Sequence, residues 1–196
     1  MLKRTFDIIM ALLALIILSP VFIVVSIAII IDSKGGIIYS QKRVGRFGRE
    51  FNLLKFRTMV ADADKKGLLT VGVKDSRITK TGYFLRKNKL DEIPQLINII
   101  MGDMSVVGPR PEVMKYVKLY NEEQKKVLNV RPGLSDLASL EYINENEVLA
   151  RYPNPEQAYI EIIMPHKLQL NLDYIRHQSM ALDLKIILRT LSKLAS

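Results

Sequence analysis

IIMALLALIILSPVFIVVSIAIII, residues 8–31, contains no charged side chain, and how it sits decides what kind of protein this is. As a straight helix it would be about 36 Å long, enough for a hydrocarbon layer about 30 Å thick. Three readings compete. A cleaved export signal has a shorter apolar stretch and a small-residue cleavage site; this run is too long and no such site follows it. A single membrane span needs only the length. The third reading is a re-entrant hairpin, and Ser19-Pro20 at the middle of the run favours it, since proline has no N–H for the helical bond. The flanks agree. Lys3 and Arg4 precede the run, while Lys34, Lys42, Arg43, Arg46 and Arg49 follow it, and basic residues are retained on the cytoplasmic side. Proline also kinks ordinary spans, so span and hairpin both stay open. In either case residues 1–34 are expected to anchor residues 35–196 to a membrane.

The rest of the composition narrows the chemistry. The 196 residues carry a formal net charge of +9, which calls for an anionic partner: nucleic acid, acidic lipid or a phosphorylated small molecule. There is no cysteine, which excludes disulfides, thiolate metal sites and thiol nucleophiles. His166 and His177 are the only histidines, too few for a multi-histidine metal centre. Aromatic residues are not interleaved with basic ones as a base-stacking platform requires, so no nucleic-acid partner is expected.

Past the anchor, GGIIYSQKRVGRFGREFNLLKFRTM alternates apolar and polar residues around a Gly45 to Gly48 turn, predicting a hairpin with strands near 37–43 and 50–56. Residues 61–81 have no sustained periodicity and read as loop or short helices. Short helices are expected over 81–87 and over 94–100, the latter stopping at Gly102. Pro111 suits the first turn of a helix, which would run to about Asn129. A longer one is expected from about Pro155 to His177, and ALDLKIILRTLSKLA predicts an amphipathic last helix. It packs on its own core or on a membrane surface. The fold class is therefore α+β and helix-rich, with a small β-hairpin.

Chemistry concentrates in KNKLDEIPQLINIIMGDMSVVGPRPE, residues 87–112. Asp91 can cap a helix whose first turn holds Glu92 and Pro94. The partial positive charge of a helix start, with Arg86, Lys87 and Lys89 upstream, is expected to keep Asp91 ionised. An ionised carboxylate can attack phosphorus or bind a hard divalent cation. Helix neighbours do not face each other, so Asp91 and Glu92 should play different parts. Arg110, between Pro109 and Pro111, has a backbone pre-set for phosphate binding. Lys55 and Arg57 alternate in LKFRTM, and Arg131 opens a Pro-Gly turn. Together these residues point to a site for a multiply phosphorylated ligand with a metal.

The order LKFRTM, LDEIPQLINIIMGDMSVVGPRP, YNEEQKKVLNVRPGL resembles the bacterial sugar transferases that act on polyprenol phosphate, the monotopic phosphoglycosyl transferases. The likeness extends from KRTFDI to LDLKIILRTL and matches their minimal form. It implies transfer of a sugar-1-phosphate from a UDP-sugar to a polyprenol phosphate with release of UMP, at the cytoplasmic face of the bacterial inner membrane. It implies magnesium held at Asp91 and Glu92, a covalent intermediate on Asp91, and Glu92 as its partner. Arg110 would bind phosphate, and Lys55, Arg57, Arg86 and Arg131 would contribute to substrate binding. It also implies that the helix breaks at Ser19 and Pro20 and returns to the cytoplasm, with membrane lipids as its surroundings. One departure falls after Arg-Pro-Gly. Many relatives carry Gly-Trp there, whereas this chain reads RPGLSDLASLEYINENE, which bears on the sugar rather than on the reaction.

Overall fold

The computed structural model describes residues 2–60, 63 and 75–195. Helix α1 (Leu2–Asp32) takes up the whole apolar run. Strands β1 (Ile38–Val44) and β2 (Glu50–Phe56) form an antiparallel hairpin, followed by α2 (Lys80–Lys87), a 3-10 turn (Leu90–Glu92) and α3 (Gln95–Met101). Strand β3 (Ser105–Val107) pairs in parallel with β4 (Gly133–Ser135). Between these strands lie α4 (Met114–Val117) and a 3-10 stretch (Gln124–Asn129). The chain ends in α5 (Leu137–Glu141), α6 (Glu145–Leu149), α7 (Pro155–Ala158), α8 (Met164–Arg176) and α9 (Met180–Ala195). This is the expected helix-rich α+β fold, and the hairpin lies within a residue of its expected bounds. Of the loop or short helices expected over 61–81, residues 61–62 and 64–74 lie outside the described residues.

Among the described residues, α1 is the one helix long and apolar enough to cross a membrane. Secondary structure is continuous through Ser19 and Pro20 rather than interrupted there. The reason is local: Pro20 cannot donate to the Ile16 carbonyl, and Ser19 Oγ donates to it instead at 2.8 Å. Both ends of α1 are pinned to the same globular body. At the start, Asp7 accepts from Ser105 Oγ at 2.8 Å and from the Val106 amide at 3.1 Å, and Arg4 reaches the Ile100 carbonyl at 3.1 Å. At the finish, the Thr81 amide donates to Asp32 at 2.9 Å. Between these points Ala11, Val25 and Ile29 are buried against Leu53, Phe56, Leu85, Ile99 and Met104. The opposite face, including Ile16, Ile17, Ile23 and Val24, is exposed. One stripe of α1 thus belongs to the protein core, while the other has no protein cover.

A second core joins Val44 and Tyr116 to Tyr159, Ile163, Leu168 and Leu172, and here one helix expectation fails while another holds with a local change. The helix expected from Pro111 to Asn129 is broken up. Glu112 instead forms an antiparallel bridge with Val44, and the Val44 amide donates to its carbonyl at 2.8 Å. Extended backbone at 111–113 cannot also be a first helical turn. Further on, Asn121 and Gln124 exchange side-chain bonds to each other's amides, at 2.8 and 3.0 Å, and close a fresh turn. The helix expected over 155–177 is helical throughout, yet residues Tyr159–Ile163 widen into a π-type turn. Pro165, which lacks an amide for the Glu161 carbonyl, sits just downstream and accounts for the widening.

Helix α9 closes the structure on α1. Asp183 is fully buried, accepting from Lys3 Nζ at 2.7 Å and from Tyr174 OH at 2.6 Å. The opening KRTFDI and the closing LDLKIIL are therefore one structural unit. Removing one member of a buried charge pair leaves the other uncompensated. Lys3→Ala is expected to cost about 3–5 kcal/mol by denaturant titration in detergent, and more than Asp183→Ala, because it leaves the fully buried Asp183 uncompensated, whereas Lys3, its side chain 30% exposed, keeps solvent and Asp7 when Asp183 is removed.

Candidate active site

The site begins with a sharp turn. Lys89 adopts a left-handed backbone, φ 55° and ψ 20°, uncommon for a residue with a Cβ. It swings the chain from the end of α2 into the turn that carries Asp91 and Glu92. Asp91 does not cap α3 as its sequence position suggests; Pro94 occupies that place, with no side-chain bond to the helix. The carboxylate of Asp91 is therefore not tied up by a helix amide. It is buried, and its ion pair is with Lys55, whose Nζ lies 3.7 Å from Oδ2.

Strand β2 brings Lys55 into place. The buried Asn98 side chain acts like a neighbouring strand, accepting from the Leu54 amide at 3.0 Å and donating to the Asn52 carbonyl at 2.8 Å. Helix α3 is thereby locked to β2, and Lys55 faces the carboxylates across that lock. Its Nζ also donates to Glu92 Oε1 at 2.8 Å. On the other side, Arg110 binds Glu92 with both terminal nitrogens, Nη2 to Oε1 and Nη1 to Oε2, the latter at 3.3 Å. Glu92 is thus forked by one arginine and crossed by one lysine.

Two glycines hold Arg110 there. The turn Pro109–Pro111 leaves the end of β3, where Gly108 and Gly133 pass so closely that a Cβ on Gly133 would lie 2.1 Å from the Gly108 nitrogen. Gly108 donates to the Ser135 carbonyl at 3.1 Å, and Gly133 donates to that of Pro109 at 2.9 Å. A third glycine, Gly82, lets α2 touch the backbone of Thr58, where a Cβ would meet the carbonyl oxygen at 2.0 Å. That contact lets Arg86, one turn on, donate from Nε to Thr58 Oγ1 at 2.9 Å.

The electrostatics of the two carboxylates diverge. For Asp91, burial pushes the pKa up, opposed first by the Lys55 charge. The expected help from Arg86 and Lys89 is present, after Lys55, but burial outweighs these cations and the pKa moves up rather than down. For Glu92, burial also pulls upward, but the charges of Arg110 and Lys55 outweigh it and hold the acid well below the usual carboxylate range. In return the Glu92 charge raises Arg110. Burial lowers Arg86, offset in part by the Asp91 charge.

Lys55, Arg86, Asp91, Glu92 and Arg110 line one cleft of about 1520 Å3, so five of the expected site residues come together. Arg57 lines it too, but its guanidinium is committed to the end of α1. It donates to the carbonyls of Ser33, Lys34 and Gly36 at 2.6–2.9 Å and to Ser33 Oγ at 2.8 Å. Arg131 lies outside the cleft lining, and its Nε donates to the Gly102 carbonyl at 2.9 Å. Ser19 and Pro20 stay on the exposed face of α1. Sequence reasoning missed Thr58, Asn98 and the Gly82, Gly108 and Gly133 contacts. The signal for Gly108 and Gly133 was present, as each glycine adjoins a proline-arginine motif. Among the described residues, no cluster of three acidic or histidine side chains makes a resident metal centre.

The whole chain, residues 1–196, matches the family model described as bacterial sugar transferase. It is 33% identical to the UDP-glucose:undecaprenyl-phosphate glucose-1-phosphate transferase of Escherichia coli (strain K12), over 98% of this chain and 40% of that protein. It is 34% identical to the exopolysaccharide production protein ExoY of Sinorhizobium fredii, covering 96% of this chain and 83% of the other. To the uncharacterized sugar transferase EpsL of Bacillus subtilis the identity is 37%, over 98% and 86%. The chain belongs to the bacterial sugar transferase family. It spans about two fifths of the length of the glucose-1-phosphate transferases and most of the length of the shorter relatives.

The opposite electrostatics of the two acids yield opposite stability effects. Glu92 has a depressed folded pKa, so its contribution is present above the ordinary value of 4.5 and is lost as pH falls below it. Asp91 has a raised pKa, so its ionisation weakens the fold as pH climbs past the ordinary 3.8. At pH 7, Glu92→Gln is expected to lose about 1–3 kcal/mol, by leaving the half-buried Arg110 without its carboxylate while Lys55 keeps Asp91. Asp91→Asn should melt at or above wild type at the same pH. Thermal melts of wild type and both variants between about pH 2 and 8 check the two signs.

Proposed function

We propose that this protein transfers a sugar-1-phosphate from a UDP-sugar to a polyprenol phosphate, with Asp91 as the nucleophile. The observation that carries the reading is a buried carboxylate left out of helix capping, set against a lysine and lining a cation-rich cleft. Relatives named as undecaprenyl-phosphate glucose-1-phosphate transferases support the substrate class.

In the first step an Asp91 oxygen attacks the phosphorus that bears the sugar; the bond to the UMP oxygen breaks and UMP leaves. In the second, an oxygen of the lipid phosphate attacks the same phosphorus, and the Asp91 carboxylate departs. Splitting the transfer lets the soluble nucleotide go before the lipid headgroup enters. Both partners are anionic, so Lys55, Arg86 and Arg110 serve to offset repulsion as charge gathers on the phosphoryl oxygens. Burial makes Asp91 a more basic, less solvated nucleophile, and Lys55 keeps its ionised form accessible.

Glu92 takes a different part from Asp91. A carboxylate held far down the pH scale is a weak base, so Glu92 orients Lys55 and Arg110 rather than handling a proton. Magnesium favours one or two carboxylates completed by substrate phosphates. Asp91, whose carboxylate caps no helix, fits an ion that arrives with the diphosphate, whereas both Glu92 oxygens are already engaged by Arg110 and Lys55. Such an ion would be held at Asp91 and would neutralise phosphate charge.

The anchor is read as re-entrant, both ends cytoplasmic. The support is the docking of residues 3–7 and 32–34 on one globular body. A helix crossing the bilayer would carry Lys3, Arg4 and Asp7 away from Asp183, Ile100 and Ser105. The cytoplasmic membrane face then supplies the lipid phosphate at the height of the cleft.

Asp91→Asn is expected to bring UMP release from every UDP-sugar in a substrate panel to background. Mass spectrometry of wild-type protein quenched with donor alone should place the phospho-sugar on the peptide holding Asp91. An adduct on any other residue refutes the assignment. Single cysteines at Leu2 and Lys34 should both react with an impermeant maleimide from the cytoplasmic side of oriented vesicles. Protection of Leu2 until the opposite side is exposed would establish a full span.

A further inference from the structure

The cleft has an apolar arm that a nucleotide sugar does not need. Met10, Leu13 and Ile17 of α1, with Ile187 and Leu191 of α9, line the same cavity as Lys55, Asp91 and Arg110. Three of these five are largely open: Leu13 is 51% exposed, Ile17 72% and Leu191 58%. Exposed leucine and isoleucine on two helices, lining the same cavity as a cationic pocket, match an amphiphile with a phosphate head and a hydrocarbon tail.

We propose that the isoprenoid chain of the acceptor lies in this arm, between α1 and α9, with its phosphate directed to the Asp91 pocket. The inference rests on the acceptor class proposed above and adds where that lipid is held. The Lys3–Asp183 pair holds the two walls together, joining the first turn of α1 to the first turn of α9. Beyond the arm, Leu184 and Leu188 of α9 are also exposed and continue apolar surface from Leu191. The occupant is an isoprenoid monophosphate rather than a membrane diacyl phospholipid. A single chain ending in a terminal phosphate can place that phosphate beside Asp91, whereas a glycerol diester brings two chains and a blocked phosphorus.

Wild-type protein in nanodiscs, irradiated with a long polyprenyl phosphate bearing benzophenone near its phosphate end, tests the placement without turnover. Crosslinks are expected in α1 around Leu13 and in α9 around Leu191, suppressed by unlabelled polyprenyl phosphate and not by phosphatidic acid. Crosslinks confined to other segments overturn the proposal, and so does equal suppression by phosphatidic acid. In kinetics, Leu191→Trp fills the arm and keeps the isoprenoid from burying its apolar surface there. It should therefore raise KM for the polyprenyl phosphate about ten-fold or more. UMP release from donor alone should stay within about two-fold of wild type. An unchanged KM for the lipid overturns the groove. Absence of donor-alone UMP release in wild type counts instead against the reaction proposed for Asp91, and the crosslink positions then still decide where the lipid lies.

Discussion

The clamp on Glu92 is the interaction on which the rest of the site depends. Burying a carboxylate is unfavourable unless cations and hydrogen bonds offset it, and here Arg110 forks it while Lys55 crosses it. Those two cations arrive from different elements, a strand and a proline-bounded turn, so the clamp draws β2, the Leu90–Glu92 turn and the end of β3 to one point. Asp91 next door receives what the clamp leaves: one lysine at 3.7 Å and little solvent. Its environment raises its pKa where its neighbour's lowers it. Two adjacent acids acquire different chemistry from their partners alone.

Close backbone contacts keep that geometry rigid. Gly82 against Thr58, and Gly108 against Gly133, leave no space for a Cβ. Each contact sits one short step from a cation of the site, Arg86 in the first case and Arg110 in the second. Asn98 acts similarly by standing in for a missing strand beside β2. These residues touch no substrate in the mechanism proposed, yet they hold the groups that do.

Helix α1 has two solvents. Ala11, Val25 and Ile29 share a core with β2 and α3, while Ile16, Ile17, Ile23 and Val24 face outward. Its first turn is tied to α9 and its last to Arg57 and Thr81. A helix fixed at both ends cannot swing freely, so the cleft it helps to line keeps its shape. The arginine of LKFRTM illustrates the consequence: Arg57, in a basic motif beside Lys55, is committed to closing the end of α1 rather than facing phosphate.

The long apolar helix, the hairpin, the helix at 95–101 with its glycine stop, and the acidic pair with its basic surroundings were legible in the sequence. These are written in local patterns: an uninterrupted apolar run, period-two alternation, and turn residues at fixed offsets. Tertiary structure decided what each charged group faces. Arg57 and Arg131 ended on backbone carbonyls, Asp91 was released from capping by Pro94, and Pro111 to Val113 became an edge partner of β1 instead of a helix. The parallel pairing of β3 with β4 and the union of the first and last helices through Lys3 and Asp183 bring together residues far apart in the chain. A side chain's partner across such separations depends on which surfaces bury each other, and no window along the sequence contains that information.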